Sequence, residues 1–238
     1  MGKPDGQVVA SRPLSRRAAP LRILAQDDEL VAVAKPAGLL VHRDDHHPEA
    51  PALLQQVRDQ LGRYLYPVHR LDRSTSGIVV FAFDPTVAAR LQRALTTSGT
   101  KRYLALVRGH PPAVWTSDRP LAPATGPARS ATTHFRRLAC YADASLVEAT
   151  LATGRWHQIR LHLAHAGHAV LGDTAHAKAR ANRRARAALG LERLFLHAHA
   201  LDLAHPETGA PLVLRDPLPA ELVRVLAQLD RGTLNRSG

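Results

Sequence analysis

The chain has 238 residues, 45% of them hydrophobic, which is enough for one large domain or two small ones around a core. Its 32 Lys and Arg against 20 Asp and Glu leave a net charge of +12, so a polyanion is the natural partner, nucleic acid before an anionic membrane surface. No run reaches the about 18 apolar residues that span a bilayer, no apolar signal core opens the chain, and the single cysteine excludes an internal disulfide or a CxxC site.

Residues 1–20 mix Gly, Pro, Ser and Arg without periodicity and read as a disordered basic tail. A folded domain is expected over 21–230, with a flexible C-terminus at 231–238. It begins with a hairpin: Leu21–Leu24, a turn through Asp27-Asp28-Glu29, and Leu30–Ala34. Lys35-Pro36-Ala37-Gly38 breaks the strand, and Val41-His42 is expected to resume it. Leu53, Leu54, Val57 and Leu61 recur at helical spacing over 52–61.

Next comes the polar turn His69-Arg70-Leu71-Asp72-Arg73-Ser74-Thr75-Ser76-Gly77, running into a strand at 78–83. Asp84-Pro85 carries a helix start, N-cap then proline at the first helical position, with Ser98-Gly99 as its end. A strand is expected over 101–109, and a loop over 110–130, which holds five prolines. Strands follow at 131–139 and 145–152, with Cys140 expected as a small buried hydrophobe. Gly154 turns the chain into a helix from Gln158 to Ala166, ended by Gly167. An Ala/Arg-rich helix at 177–189, strands at 194–203 and 211–215, and a helix at 219–229 complete the domain. Strands and helices in irregular order point to the α+β class.

Much familiar chemistry is missing. There is no G-x-G-x-x-G, no Walker A loop and no G-x-S-x-G elbow. His162 and His165 share a helix face, but no H-E-x-x-H occurs and no acid lies between His157 and His168, so no metal is expected. Asp72 stands out. Two arginines, Arg70 and Arg73, flank it and favour its charged form, which fits a nucleophile or base. The same residues also fit a structural ion pair at a bend.

Several further stretches carry a resemblance. Lys35–His42, His69–Gly77, Lys101–Gly109, Gly154–Arg160, Leu194–Ala198 and His205–Gly209 resemble, in order, the motifs of the RluA family of RNA pseudouridine synthases. Gln56–Gly62, His176, Asn182-Arg183 and Gly190–Leu194 resemble its tRNA pseudouridine-65 branch, with Ala177 standing where that branch has glycine.

The resemblance implies the pseudouridine synthase fold, a mixed, mostly antiparallel central sheet with flanking helices and a central cleft. It also implies isomerisation of a uridine in tRNA, with ribosomal RNA the alternative target, and no cofactor. Asp72 is then the nucleophile, Arg160 its partner, Tyr103 the base-stacking ring, Arg70 the residue that fills the vacated space in the RNA, and Leu196 part of the pocket floor. Lys178, Arg180, Arg183, Arg184 and Arg186, on a helix free of acids, are expected along phosphates. The expected compartment is the cytoplasm and the expected state a monomer. A metal-dependent hydrolase built on the histidines, and an RNA-binding module that has lost activity, remain alternatives at this point.

Overall fold

Strands that carry an apolar residue at nearly every position need cover on both faces, and this demand organises the molecule. The computed structural model describes residues 20–43, 48–123 and 125–234. The expected tail, except for Pro20, lies outside the described residues, as do 235–238.

The first hairpin pairs β1 (Ile23–Gln26) with β2 (Leu30–Lys35), and the Asp27 carboxylate accepts from the Glu29 and Leu30 amides to make the turn. After α1 (Leu53–Leu61), a two-residue strand β3 (Tyr66–Pro67) precedes β4 (Ser76–Ala82), all seven residues of which are buried. Helix α2 (Pro85–Thr97) starts as its sequence predicts: Asp84 accepts from the amides of Thr86 and Val87, a cap worth about 1 kcal/mol. Then come β5 (Thr100–Arg108), β6 (Val114–Ser117), β7 (Thr133–Cys140), β8 (Ala144–Leu151), α3 (Gln158–His165) and α4 (Ala179–Leu189). The chain closes with β9 (Leu196–Ala204), β10 (Pro211–Arg215) and α5 (Ala220–Leu234).

Ten strands form one sheet in the order β1-β2-β4-β9-β5-β8-β7-β6, with β10 added to β9 and β3 to β4. Alternate residues sort the core onto two faces. Val31, Val33, Val79, Phe81, Tyr103 and Ala105 face α1 and α3. Leu30, Ala32, Ile78 and Val80 face α2, while Leu106 and Phe195 meet α4 and α5 on that same opposite side. The class is α+β, and the sheet is mixed and mostly antiparallel.

The parallel exception matters most. β4 and β9 pair in parallel over two positions, Ser76 with His197 and Gly77 with Ala198. This short seam joins the two antiparallel halves of the sheet. Gly77 sits there at a φ of +121°, and a Cβ on it would lie 2.3 Å from the Ala198 carbonyl oxygen. Only glycine fits that approach.

Four expectations need correction. Val41 and His42 form no strand; instead Leu40 makes an isolated bridge with Ala52, because the chain turns there toward α1. The proline-rich 110–130 stretch is not all loop: its residues 114–117, free of proline, form β6 and pair with β7. Cys140 is exposed, since it ends the outward-facing side of β7 near the sheet edge. The last helix runs on to Leu234, beyond the expected end at 229.

Candidate active site

At the seam, the loop before β4, the start of β9 and the middle of β5 meet the N-terminus of α3. They enclose a cavity of about 390 Å³, within the range that takes a small ligand. Asp72 is the one carboxylate among its lining residues.

Local hydrogen bonds hold the Asp72 loop. The Asp72 carbonyl accepts from the Thr75 amide at 3.1 Å, closing a turn. The Arg73 carbonyl accepts from the Gly38 amide (2.7 Å) and from Lys35 Nζ (3.2 Å), and Arg73 Nε donates back to the Gly38 carbonyl (2.9 Å). Lys35 is 1% exposed and also donates to the Pro36 and Leu39 carbonyls. Its three donors thus have three acceptors, which stitch the Lys35–Gly38 turn to the aspartate loop. Burial pulls the Lys35 pKa down to about 7, with Asp72 opposing that fall and Arg193 adding to it.

The charge partner of Asp72 comes from far along the chain. Arg160, 6% exposed, donates from Nη1 to Asp72 Oδ2 at 3.1 Å. Its Nε and Nη2 grip Asp173 at 2.8 and 2.7 Å. Burial opposes the charge on Arg160, but Asp173 and then Asp72 outweigh it and hold the guanidinium protonated. Asp173 is fully buried; burial would raise its pKa, but Arg160 and the Ala175 and His176 amides keep it below the usual range.

This corrects the local expectation for Asp72. Of its two flanking arginines, Arg73 turns to the Gly38 carbonyl, and Arg70 is exposed on the cavity wall. Arg160, the partner that the resemblance implied, supplies the ion pair instead.

His157 stands at the cap of α3 with a φ of 51°, the sole non-glycine residue with positive φ among those described. Its Nε2 lies 3.5 Å from Asp72 Oδ2, and its Nδ1 is 2.8 Å from His176 Nε2. Burial, with a smaller push from Arg160 and His176, lowers its pKa to about 4 against the pull of Asp72, so the ring is neutral. Gln158 organises the preceding loop: it accepts from Thr153 Oγ1 and the Arg155 amide, and donates to the Thr132 carbonyl and Thr133 Oγ1.

Tyr103 lies buried on the cavity wall, and burial, then the charge of Asp72, push its phenol well above its usual pKa. Leu196 is buried at the same cavity. His162 holds no open valence for a metal: Nδ1 is 3.0 Å from Thr133 Oγ1 and Nε2 3.0 Å from the Arg119 carbonyl.

Residues 29–165 match the family model described as RNA pseudouridylate synthase. The chain is 39% identical over 220 residues to tRNA pseudouridine synthase C of Vibrio cholerae, covering 82% of this chain and 90% of the relative. It is 38% identical over 239 residues to the protein of that name from Salmonella typhi, covering 90% and 92%. The chain belongs to the RNA pseudouridylate synthase family. Among solved structures, human RNA Pseudouridylate Synthase Domain Containing 4 superposes with a TM-score of 0.74 at 28% identity, covering 88% of this chain and 93% of that one.

As a member of this family the chain is an RNA-modifying isomerase, and residues from four of the motifs meet at one cavity. Asp72, Arg70, Tyr103, Arg160 and Leu196 all line it. The cations of α4 do not: Lys178, Arg180, Arg183, Arg184 and Arg186 are exposed, and Arg186 is paired with Glu192. Yet α4 starts beside the site, because Asn182 donates to the Asp173 carbonyl and accepts from the Gly172 amide.

Roles for Asp173, Lys35 and His157 were missed in the sequence, although Lys35 and His157 stand in motifs of the resemblance and Asp173 lies three residues before His176. An acid behind Gly172 and a lysine before Pro36 were the available signals. Neither has a charge neighbour in sequence that would reveal its partner.

Proposed function

We propose that the protein converts a uridine of tRNA to pseudouridine, with Asp72 as the nucleophile. The observation that carries this reading is the placement of a lone carboxylate, 24% exposed, at a uridine-sized cavity with Arg160 fixed upon it. The reaction breaks the N-glycosidic bond between N1 and C1′, turns the base, joins C5 to C1′, and moves a proton from C5 to N1. Atoms balance without oxidant or cofactor.

In this reading a flipped uridine enters the cavity and stacks on Tyr103, with Leu196 beneath. Unstacking a base costs a few kcal/mol, and an aromatic stack returns about 1–3 kcal/mol. Arg70, exposed beside Asp72, fills the space the base leaves. The free cations of α4 follow the phosphates leading to the site. The similarity to relatives named tRNA pseudouridine synthase C supports tRNA over ribosomal RNA; uridine 65 in the acceptor/T-arm region and a cytoplasmic place of action complete the proposal and rest on the sequence resemblance.

The test compares pseudouridine maps of tRNA and ribosomal RNA from cells with and without this protein. One tRNA site should vanish and return with the wild-type chain, but not with Asp72→Asn. A site lost from ribosomal RNA alone would overturn the tRNA assignment, and turnover by Asp72→Asn would overturn the nucleophile.

A further inference from the structure

We infer that Trp156 is a stacking platform for the nucleotide next to the isomerised uridine. The inference rests on reading the cavity as a uridine site in RNA, and it names a contact outside that cavity's floor.

Trp156 is 58% exposed, yet it is not loose. Its indole lies flat on the His157 imidazole, with centroids 3.6 Å apart and planes 17° from parallel. His157 is itself fixed: His176 Nε2 is 2.8 Å from Nδ1, and Asp72 Oδ2 is 3.5 Å from Nε2. The positive φ of His157, a conformation that residues with a Cβ rarely adopt, is part of the bend that presents the two rings in this order. One face of the indole is therefore covered by His157, and Trp156, largely exposed, is also among the residues that line the cavity.

The chain uses tryptophan sparingly, with two in all. The other, Trp115, stacks on Phe135 within the sheet, as expected for a packing residue. Trp156 instead stands among the exposed cations Arg70 and Arg155. A uridine that leaves its strand deprives its neighbour of a stacking partner. A rigid aromatic face at the rim replaces that partner for any base, since every base has a π-face. Tyr103, buried within, is reserved for the flipped base itself.

The test is a cycle between Trp156 and the neighbouring base. Wild-type protein, Trp156→Ala and Trp156→Phe are assayed on a tRNA transcript that the wild type modifies, and on transcripts with an abasic nucleotide on either side of the target uridine. Trp156→Ala should lower kcat/KM about tenfold or more, chiefly through KM. An abasic nucleotide on one side should cost the wild type a similar factor, and the two changes together should cost no more than either alone. Trp156→Phe should retain most activity. In Trp115→Phe protein, where Trp156 is the sole tryptophan, the intact transcript should quench its fluorescence and the abasic one should not. Independent, multiplying losses, or a Trp156→Ala protein equal to wild type, would overturn the inference. A wild-type protein that forms no pseudouridine in either tRNA or ribosomal RNA would overturn the reading of the cavity itself, and that result is seen before any variant is made.

Discussion

Arg160 reaches Asp72 with one nitrogen, Nη1 at 3.1 Å, while its other two bind Asp173. The guanidinium is thus a fixed bracket: Asp173 sets its plane, and the plane sets where the Asp72 carboxylate must lie. A lysine has one charged nitrogen and cannot hold both geometries.

Arg160→Lys is therefore expected to keep the charge and lose the alignment. Misplacing a reacting group by about 1 Å costs about a hundredfold, so kcat should fall by about that factor. Asp173→Asn should lower kcat as well, and should destabilise the fold by about 3–5 kcal/mol because it leaves Arg160 underpaired in the interior. Single-turnover rates and urea unfolding measure the two effects. A wild-type kcat in either variant would show that the bracket does not position Asp72.

Tyr103 remains a neutral phenol, because burial and the nearby Asp72 charge both resist ionisation. The pH–rate profile should show no tyrosine limb between pH 6 and 9, and Tyr103→Phe should run parallel to wild type across that range. RNA affinity should change little in Tyr103→Phe, whose ring is kept. In Tyr103→Ala it should fall about tenfold or more, the value of a base stack. A rising limb that disappears in Tyr103→Phe would contradict the neutral phenol.

The exposed cations on and just before α4 predict a salt signature. Each phosphate contact contributes about −0.7 (single strands) to about −0.9 (duplex DNA) to the slope of log K against log salt. Changing Arg180, Arg183 and Arg184 to glutamine should flatten the slope by up to about three contacts and leave kcat at saturating RNA unchanged. An unaltered slope would place the phosphate path elsewhere.

Acid should unfold the protein through its histidines. His69 accepts the Val80 amide on Nε2 (3.2 Å), and burial, aided by Lys101, lowers its pKa to about 4. In the unfolded chain it titrates near 6.5. Between those values the unfolded state binds more protons, so stability is full above about pH 6.5 and is lost as pH falls toward 4. His157 acts in the same direction over the same window. Urea midpoints at pH 7 and pH 4.5 should differ, with about 1–2 kcal/mol of the difference removed in His69→Gln, which keeps an acceptor for the amide. Equal midpoints at the two pH values would refute the assignment.

Much of this was legible in the chain. The Asp84 cap, the Gly167 end of α3 and the apolar runs of β2, β5 and β8 are local patterns, and they appear where the pattern puts them. The proline count over 110–130 concealed β6, because four proline-free residues next to β7 gain their strand from pairing, not from their own composition. The position of Cys140 depended on which face of β7 meets the core, and β7 alternates too weakly in sequence to tell.

The sequence by itself determined most of the element types, the basic charge, the absence of the familiar cofactor and nucleophile-elbow motifs, and the residues that carry the family motifs. Those depend on spacing, capping and composition, which act within a few residues. The family resemblance named Arg160 as the partner of Asp72, but only the tertiary structure decided how that pair is held. The two arginine neighbours of Asp72 in sequence suggested a local answer, but one is bound to Gly38 and the other lies exposed on the wall. The cation that meets it is Arg160, 88 residues away, oriented by an aspartate 13 residues further on. A carboxylate pairs with whichever charge the packed sheet and helices bring to it, and that choice is made across the β4–β9 seam, by contacts that no local stretch of the chain contains.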